Sequence, residues 1–292
     1  MEILFYSVIF IAGAFIGSFL NLVSDRLRTG ESILFGRSHC DFCKKHLSGK
    51  DLLPLLSFIL QKGKCRYCQE KLAYYYPLSE TLTAATFVSL AYYIDLYKTP
   101  YVFSWIGFGY LAAVACFFII ITLSDLKYRL IPNRVVYPAI AFVLLFMILA
   151  IAANAGYSYY YLRNDEFGKY LIESGFWTNQ LVAVAKSFGI SLLSSLAVAL
   201  FFWFLIFITK GKGMGGGDVK LAFLVSIFNG FPQNIVAVFA GFVLGALFSF
   251  VLILLGKKTM KDTLPFGPFL VLGSVLAFVY GQQILDWYLS LL

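Results

Sequence analysis

Residues 103–123 read FSWIGFGYLAAVACFFIIITL, a stretch of 21 residues without a charged side chain. The hydrocarbon core of a bilayer is about 30 Å thick, so a helix of about 20 apolar residues spans it. This stretch therefore predicts a transmembrane helix. The whole chain has the same character: 60% of its 292 residues are hydrophobic, 13% are charged, and the mean hydropathy is +0.82. These values exclude an ordinary soluble domain and indicate an integral membrane protein.

Similar apolar runs, separated by charged or turn-forming residues, recur along the chain. They predict an all-α polytopic membrane protein with about eight transmembrane helices, one of them short. The first run does not resemble a secretory signal, because no basic residue precedes it and a basic cluster follows from Arg26. The predicted helices lie near residues 3–23, 77–97, 103–123, 135–153, 181–208, 219–231, 235–256 and 265–285.

Lysine and arginine residues predict the orientation, because cytoplasmic loops carry an excess of them. With the N-terminus outside, the loops at 24–76, 124–134, 209–220 and 257–264 face the cytoplasm and hold 19 of the 23 basic residues. This distribution explains the net charge of +8 better than nucleic-acid binding does. An aromatic outer segment at 154–180 is expected to lie at the membrane surface.

The pattern divides the chain into three parts. Residues 1–23 form a first transmembrane helix, residues 24–76 a cytoplasmic loop domain, and residues 77–292 the main transmembrane domain.

Two aspartates, Asp125 and Asp218, are the candidate catalytic residues. Asp125 follows an apolar run in ITLSDLKYRLIPN, and Asp218 begins one in GKGMGGGDVKL. Both fall on the predicted cytoplasmic side. A carboxylate near membrane depth costs about 2.5 to 3.5 kcal/mol, so it is a functional candidate by default. If the two meet, one can act as general base on a water while the other, protonated, donates to a scissile carbonyl oxygen.

A plainer interpretation of these aspartates stays open on spacing alone. Asp125 can be an interfacial residue paired with Lys127 or Arg129, and Asp218 an ordinary charge at a helix N-terminus. Asp25 and Asp262 also lie near helix ends on the same side, and we expect both to be solvated flanking charges.

Three glycines, Gly215, Gly216 and Gly217, precede Asp218. They remove side chains beside the carboxylate and permit positive φ, which would let a substrate backbone approach closely. Such an approach suits an extended peptide substrate. A helix-entry loop is the alternative.

Four cysteines, Cys40, Cys43, Cys65 and Cys68, form two C-x2-C pairs in the large basic loop. This spacing is typical of a four-thiolate zinc site, whose closed coordination implies a structural role. A loop of about 50 residues has too small a core to fold alone, so the metal would stabilise it. Redox chemistry and free thiols are the alternatives. His39 and His46 are expected to be non-ligands and Cys116 a packing residue.

Taken in order, several motifs resemble those of bacterial prepilin peptidases, the type IV leader peptidase and N-methyltransferase family. The resemblance runs from about residue 13 to 275. The motifs that carry it are GSFLN at 17–21, the double C-x2-C, LLPLLSFILQKGKCRYC at 52–68, YPLSE at 76–80, D-x6-P-N at 125–133, GMGGGDVKL from Gly213 and LPFGPFL from Leu264.

The resemblance implies an inner-membrane enzyme that removes the basic leader of type IV prepilins or type II secretion pseudopilins. It also implies N-methylation of the new N-terminus with S-adenosylmethionine, although no residue here shows that chemistry. Asp125 and Asp218 match the family's catalytic aspartates, and Gly215, Gly217 and Asp218 match its GxGD motif. The four cysteines match its zinc-binding loop.

Two features depart from the family pattern, namely the CDFC pair, where relatives often have a proline, and the long 154–180 segment. The alternatives to a peptidase that also methylates are a peptidase that does not methylate, a cation-coupled transporter and a non-catalytic zinc scaffold. A transporter would place both aspartates at the bilayer midplane.

Overall fold

The computed structural model describes residues 1–32, 36–40, 42–211, 213–259, 262 and 264–291. Across these residues the chain is helical, and ten α-helices are defined. They are α1 (Glu2–Thr29), α2 (Leu56–Leu60), α3 (Tyr75–Tyr93), α4 (Val102–Tyr128), α5 (Asn133–Asn164), α6 (Glu166–Glu173), α7 (Phe176–Ile208), α8 (Gly216–Asn229), α9 (Gln233–Leu254) and α10 (Gly267–Leu289).

The all-α membrane fold is confirmed, since each of the eight predicted apolar helices corresponds to one of these elements. Within the described ranges, six are long and apolar enough to cross a membrane, namely α1, α4, α5, α7, α9 and α10. The other two are α3, whose second turn carries the polar residues Ser79 and Glu80, and α8, which has 14 residues. At 1.5 Å per residue, α8 is about 21 Å long, shorter than a hydrocarbon core.

The chain divides into two compact units, Met1–Tyr128 and Arg129–Leu292. In the first unit, α1 and α3 pack antiparallel at very short range. A Cβ on Gly13 would lie 2.8 Å from Ala84 Cα, and one on Gly17 would lie 2.9 Å from Glu80 Cα. Glycines four residues apart are typical of tightly packed membrane helices, because they let two backbones approach.

In the second unit, α8 lies among longer helices and packs against α5, α7, α9 and α10. Its core side chains include Leu221, Leu224 and Ile227, each at most 1% exposed. Glycine again sets the closest helix contact, because a Cβ on Gly273 in α10 would collide with the carbonyl oxygen of Ala237 in α9.

Several helix ends differ from the predicted ones. The first helix continues past residue 23 to Thr29 and ends at Gly30, whose φ of 75° is left-handed. The 154–180 segment is mostly helical, because α5 runs on to Asn164 and α7 begins at Phe176. Asp165 caps the short α6 between them by accepting a 2.9 Å hydrogen bond from Gly168 N. Apolarity locates the lipid-facing part of a helix, and these helices continue into polar sequence.

Candidate catalytic aspartates and metal loop

Asp125 lies in the last turn of α4, in the first unit. It is 5% exposed, and the preceding Ser124 is 3% exposed. A charge that reaches from a helix end to the membrane surface would be solvated, so this burial argues against that interpretation. A buried carboxyl requires polar neighbours or a proton to offset its desolvation.

The end of α4 is held to its neighbours by Asp25, a residue of α1 that was predicted to be a solvated flanking charge. Lys127 Nζ donates to Asp25 Oδ1 at 2.9 Å, and the hydroxyl of Tyr128 donates to the same oxygen at 2.8 Å. The prediction that Asp25 is a solvated flank is therefore wrong. Its partner Lys127 is 12% exposed and lies 3.9 Å from the ring centroid of Tyr75 in α3.

These contacts tie α1, α3 and α4 together directly beside Asp125. Nothing in the local sequence could have indicated them, because Asp25 and Lys127 are 102 residues apart.

Asp218 is the third residue of α8, in the second unit. Its Oδ2 accepts a hydrogen bond from the backbone N–H of Gly215 at 3.1 Å, so its carboxylate caps the helix on which it lies. The N-terminal placement suggested by the plainer interpretation is thus present. Capping and catalysis are compatible, since a carboxylate has a second oxygen.

The three glycines before Asp218 occupy different environments. A Cβ on Gly217 would lie 2.9 Å from Ile131 Cβ, whereas no neighbour among the described residues lies within 4 Å of the corresponding position on Gly216. Gly217 therefore permits close packing, whereas the position of Gly216 is open. None of the three has a positive φ, so the left-handed conformations that glycine permits are not used here.

The start of α8 is also joined to the start of α5. Lys220 Nζ donates to Asn133 Oδ1 at 2.8 Å and lies 4.9 Å from the ring centroid of Tyr137. Asn133 is the last residue of the D-x6-P-N stretch, so that motif has a structural contact to the motif that contains Asp218.

Asp262, the other aspartate predicted to be a solvated flanking charge, is an exposed loop residue as expected. The backbone N–H of Thr259 donates to its Oδ2 at 2.7 Å. This hydrogen bond, with a second from the Thr259 hydroxyl, lowers the pKa of the Asp262 carboxyl.

The four cysteines come together as predicted. The Sγ atoms of Cys40, Cys43, Cys65 and Cys68 all lie within 4.8 Å of one another, and those of Cys40 and Cys68 are 3.9 Å apart. Tetrahedral coordination with Zn–S bonds of about 2.3 Å places sulfurs about 3.8 Å apart. The cluster therefore fits a tetrahedral metal ion.

The two cysteine pairs have the same backbone structure. In the first, Cys40 N donates to Lys45 O, Lys44 N to Cys40 O and Leu47 N to Ser38 O; in the second, the same three bonds recur 25 residues later. The residue after each pair, Lys44 or Gln69, has a positive φ of 56° or 58°. The loop thus contains two equivalent knuckles, each of which offers two thiols to a metal ion.

Other residues near the knuckles do not join the cluster. His39 and His46 face each other in a backbone bridge, and neither belongs to the metal-binding group formed by the described residues. Cys116 lies in α4 against a hydrophobic cluster that includes Phe87 and Ala112, as expected for packing. Asp41 of the CDFC pair lies outside the described residues.

The backbone favours the thiolate form at one ligand. Burial raises the pKa of the Cys65 thiol, but backbone N–H groups of Cys68 and Tyr67 and the neighbouring thiols lower it to about 7. A thiolate is the form that binds metal.

Asp51 joins the two knuckles away from the sulfurs. It accepts hydrogen bonds from Ser48 Oγ at 2.7 Å and Gln61 Nε2 at 3.0 Å, and its Oδ1 lies 3.2 Å from Arg66 Nε. Its side chain is 2% exposed. Burial raises the pKa of this carboxyl, but the Ser48 hydrogen bonds and the Arg66 charge outweigh burial, and the pKa lies below its usual value.

We expect Asp51→Asn to speed metal release to a chelator by about tenfold at neutral pH, since lost charged hydrogen bonds cost about 1 to 3 kcal/mol. The lowered pKa means that the carboxylate contributes fully above about pH 4 and loses its contribution as the pH falls through the folded-state pKa. Asp95→Asn is the control, because Asp95 pairs with Lys98 at the surface. Equal release rates for both variants would show that Asp51 does not hold the loop.

Spanning helices, a buried aspartate at the end of one of them and a loop whose four cysteines fit a metal ion define a polytopic membrane protein. Residues 11–94 match the family model described as the bacterial peptidase A24 N-terminal domain. Residues 165–250 match the type IV leader peptidase family. The first match contains all four cysteines, the second contains Asp218, and Asp125 lies between them.

Curated relatives extend the match to nearly the whole chain. The prepilin leader peptidase/N-methyltransferase of Bacillus subtilis is 30% identical, with 98% of both chains covered. That of Aeromonas salmonicida is 29% identical, with 98% of this chain and 94% of the relative covered. The chain belongs to the prepilin leader peptidase/N-methyltransferase family. No solved structure matches it.

Proposed function

We propose that this protein is a membrane aspartyl endopeptidase that removes the leader of type IV prepilins or type II secretion pseudopilins and then N-methylates the new N-terminus. The observation that carries the proposal is the match over 98% of the chain to relatives with that printed name. The burial of Asp125 in the last turn of α4 supports it, because a membrane protein rarely retains such a group without a use.

Asp125 and Asp218 form the proposed catalytic pair. One carboxylate removes a proton from a water that attacks the scissile carbonyl carbon, while the other carboxyl donates its proton to the carbonyl oxygen. The resulting tetrahedral intermediate collapses when the amide nitrogen is protonated, and no covalent enzyme intermediate forms. The pair titrates as a unit, so neither role is fixed to one residue.

Substrate access is proposed at the glycines. No described neighbour lies within 4 Å of the position of a Cβ on Gly216, and we infer that an extended peptide backbone enters at this open side of the helix start that carries Asp218. Gly215 presents its N–H to the Asp218 carboxylate, and Gly217 fixes the helix against Ile131. Leader residues unwound from the substrate helix would lie along this face.

The proposed location is the bacterial inner membrane, with the N-terminus outside and the aspartates facing the cytoplasm. Basic residues support this orientation, because Arg26 and Arg28 lie in the last turn of α1 and Lys127 in that of α4. In this assignment residues 1–23 anchor the chain, residues 24–76 form the metal-binding domain and residues 77–292 the peptidase domain.

Zinc is the proposed metal of the loop. Four thiolates that lie close enough for tetrahedral coordination suit zinc, and a closed site of this kind leaves no position for substrate or water. When bound, it would hold the two knuckles together and take no part in hydrolysis.

S-adenosylmethionine is the proposed methyl donor, on the strength of the relatives' names. One groove on the first unit does not suit it, because its lining contains no charged side chain to pair with a sulfonium, a carboxylate or an amine. The lining residues are Ile3, Tyr6, Ser7, Phe10, Ile11 and Val88. The proposal of methylation rests on the family alone.

Mass spectrometry of a prepilin incubated with the purified enzyme tests both reactions. We expect cleavage after the leader with or without S-adenosylmethionine, and an added methyl group on the new N-terminus only with it. Cleavage without methylation would show that the protein is a peptidase without methyltransferase activity. An intact prepilin in both reactions would contradict the proposed function.

A further inference from the structure

Between the two metal-binding knuckles, residues 52–60 read LLPLLSFIL. Most of these apolar side chains are exposed rather than packed into the loop. The exposed fractions are 41% for Leu52, 37% for Leu53, 56% for Leu56, 68% for Ile59 and 78% for Leu60. Neighbouring apolar side chains form a patch that would be costly to keep in water, at about 25 cal/mol per Å².

The position of this turn along the helices shows where the patch lies. The backbone N–H of Leu55 donates to the Glu80 carboxylate at 2.8 Å. Glu80 faces Gly17 across the α1–α3 contact, and Gly17 precedes Asp25 by eight residues. Eight helical residues rise about 12 Å. Even after allowing for the reach of the Glu80 side chain, Leu55 lies inward of the charged end of α1, at the level of its apolar part.

The backbone of the turn is suited to such a place. In lipid, each polar backbone group requires a partner within the protein. Leu55 N–H has Glu80, while the N–H groups of Ser57, Ile59 and Gln61 donate to carbonyls of the same turn, those of Leu53, Leu55 and Ser57, at 3.0 to 3.1 Å.

The charges at the two ends of the run fit a membrane surface. Lys50 precedes it, Lys62 and Lys64 follow it, and all three are exposed. Lysines that flank an apolar segment reach the headgroup region and attract anionic lipid. The patch is thus apolar in its middle and basic at its margins.

We propose that residues 52–60 form a re-entrant turn, inserted into the bilayer leaflet on the side of the metal loop. Acyl chains cover Leu52, Leu56, Ile59 and Leu60, and Glu80 holds the turn from within the helices. Because the turn joins the two knuckles, it anchors the metal-binding domain to the membrane at its middle as well as at both ends. This inference does not depend on the proposed enzymatic activity.

Photo-crosslinking tests the turn in the full chain. Benzoylphenylalanine replaces Ile59 or, in a second variant, Leu60, and the protein is placed in nanodiscs of phosphatidylethanolamine and phosphatidylglycerol. Glu70, an exposed residue of the second knuckle, is the matched control position. Metal content shows that each variant is folded. We expect lipid adducts at 59 and 60 to exceed those at 70 several-fold by mass spectrometry.

Two results would overturn the inference. Lipid adducts at 59 and 60 no more frequent than at 70 would place the turn in water. Crosslinks to an added prepilin or to a second copy of the chain, in place of lipid, would assign the patch to a protein partner.

Discussion

Asp125→Asn and Asp218→Asn are each expected to lower the rate of leader cleavage by about 10²- to 10⁴-fold, which amounts to loss of activity in an ordinary assay. Neither amide can remove a proton from water or donate one as a carboxylic acid does. An asparagine at 218 keeps an oxygen that can accept the Gly215 N–H at the start of α8, so the helix cap survives. The loss should therefore lie in catalysis and not in folding.

Asp262→Asn is the matched control for this pair, because Asp262 is an exposed loop aspartate that caps only Thr259. Cleavage of a prepilin by each purified variant, with metal content as the check on folding, gives the comparison. An Asp125 or Asp218 variant as active as the Asp262 variant would rule out the two-aspartate mechanism.

A second large effect is expected at the metal loop. Cys40→Ser combined with Cys65→Ser removes one thiolate from each knuckle, and the bound metal should fall from about one ion per chain to none. Structural zinc contributes about 10 to 16 kcal/mol in small domains, so its loss should unfold the loop. Trypsin would then cut between residues 36 and 72, a region rich in Lys and Arg.

Elemental analysis of the purified protein measures this loss. Cys116→Ser is the control, because Cys116 lies in α4, outside the cluster, and that variant should keep its metal. A double variant with full metal content would exclude the four-thiolate site, and an intact loop without metal would exclude its stabilising role.

The helices could be predicted because apolar runs long enough for a bilayer leave a clear signal. The ends of the helices were harder to predict from the sequence. The first helix passes through Asp25, Arg26 and Arg28 before Gly30 ends it. A prediction from apolarity alone ends the helix before the first of those charges. In the 154–180 segment, Tyr-rich sequence without proline continues the helix beyond the apolar part. The cysteine cluster was predictable, because its ligands are set by short spacings.

Contacts between distant residues were not predictable. In the sequence, Asp25 has the features of a surface charge and Gly217 those of a glycine that leaves space beside Asp218. In the structure, α4 places Lys127 against Asp25, and Ile131 packs against Gly217. Both depend on pairings across dozens of residues, which one sequence does not contain. The sequence gives the three glycines one interpretation, whereas in the structure Gly217 is closely packed and Gly216 is not.

The equivalence of the two knuckles has an architectural consequence. Each half presents two sulfurs on the same backbone scaffold, 25 residues apart in sequence, so neither half completes a coordination sphere alone. The backbone of each half sets the positions of its own two sulfurs, and the connecting residues determine how the two halves meet. Asp51 and the 52–60 turn lie in this connection, so a change there would act on how the two halves meet and would leave the sulfur positions within each knuckle unchanged.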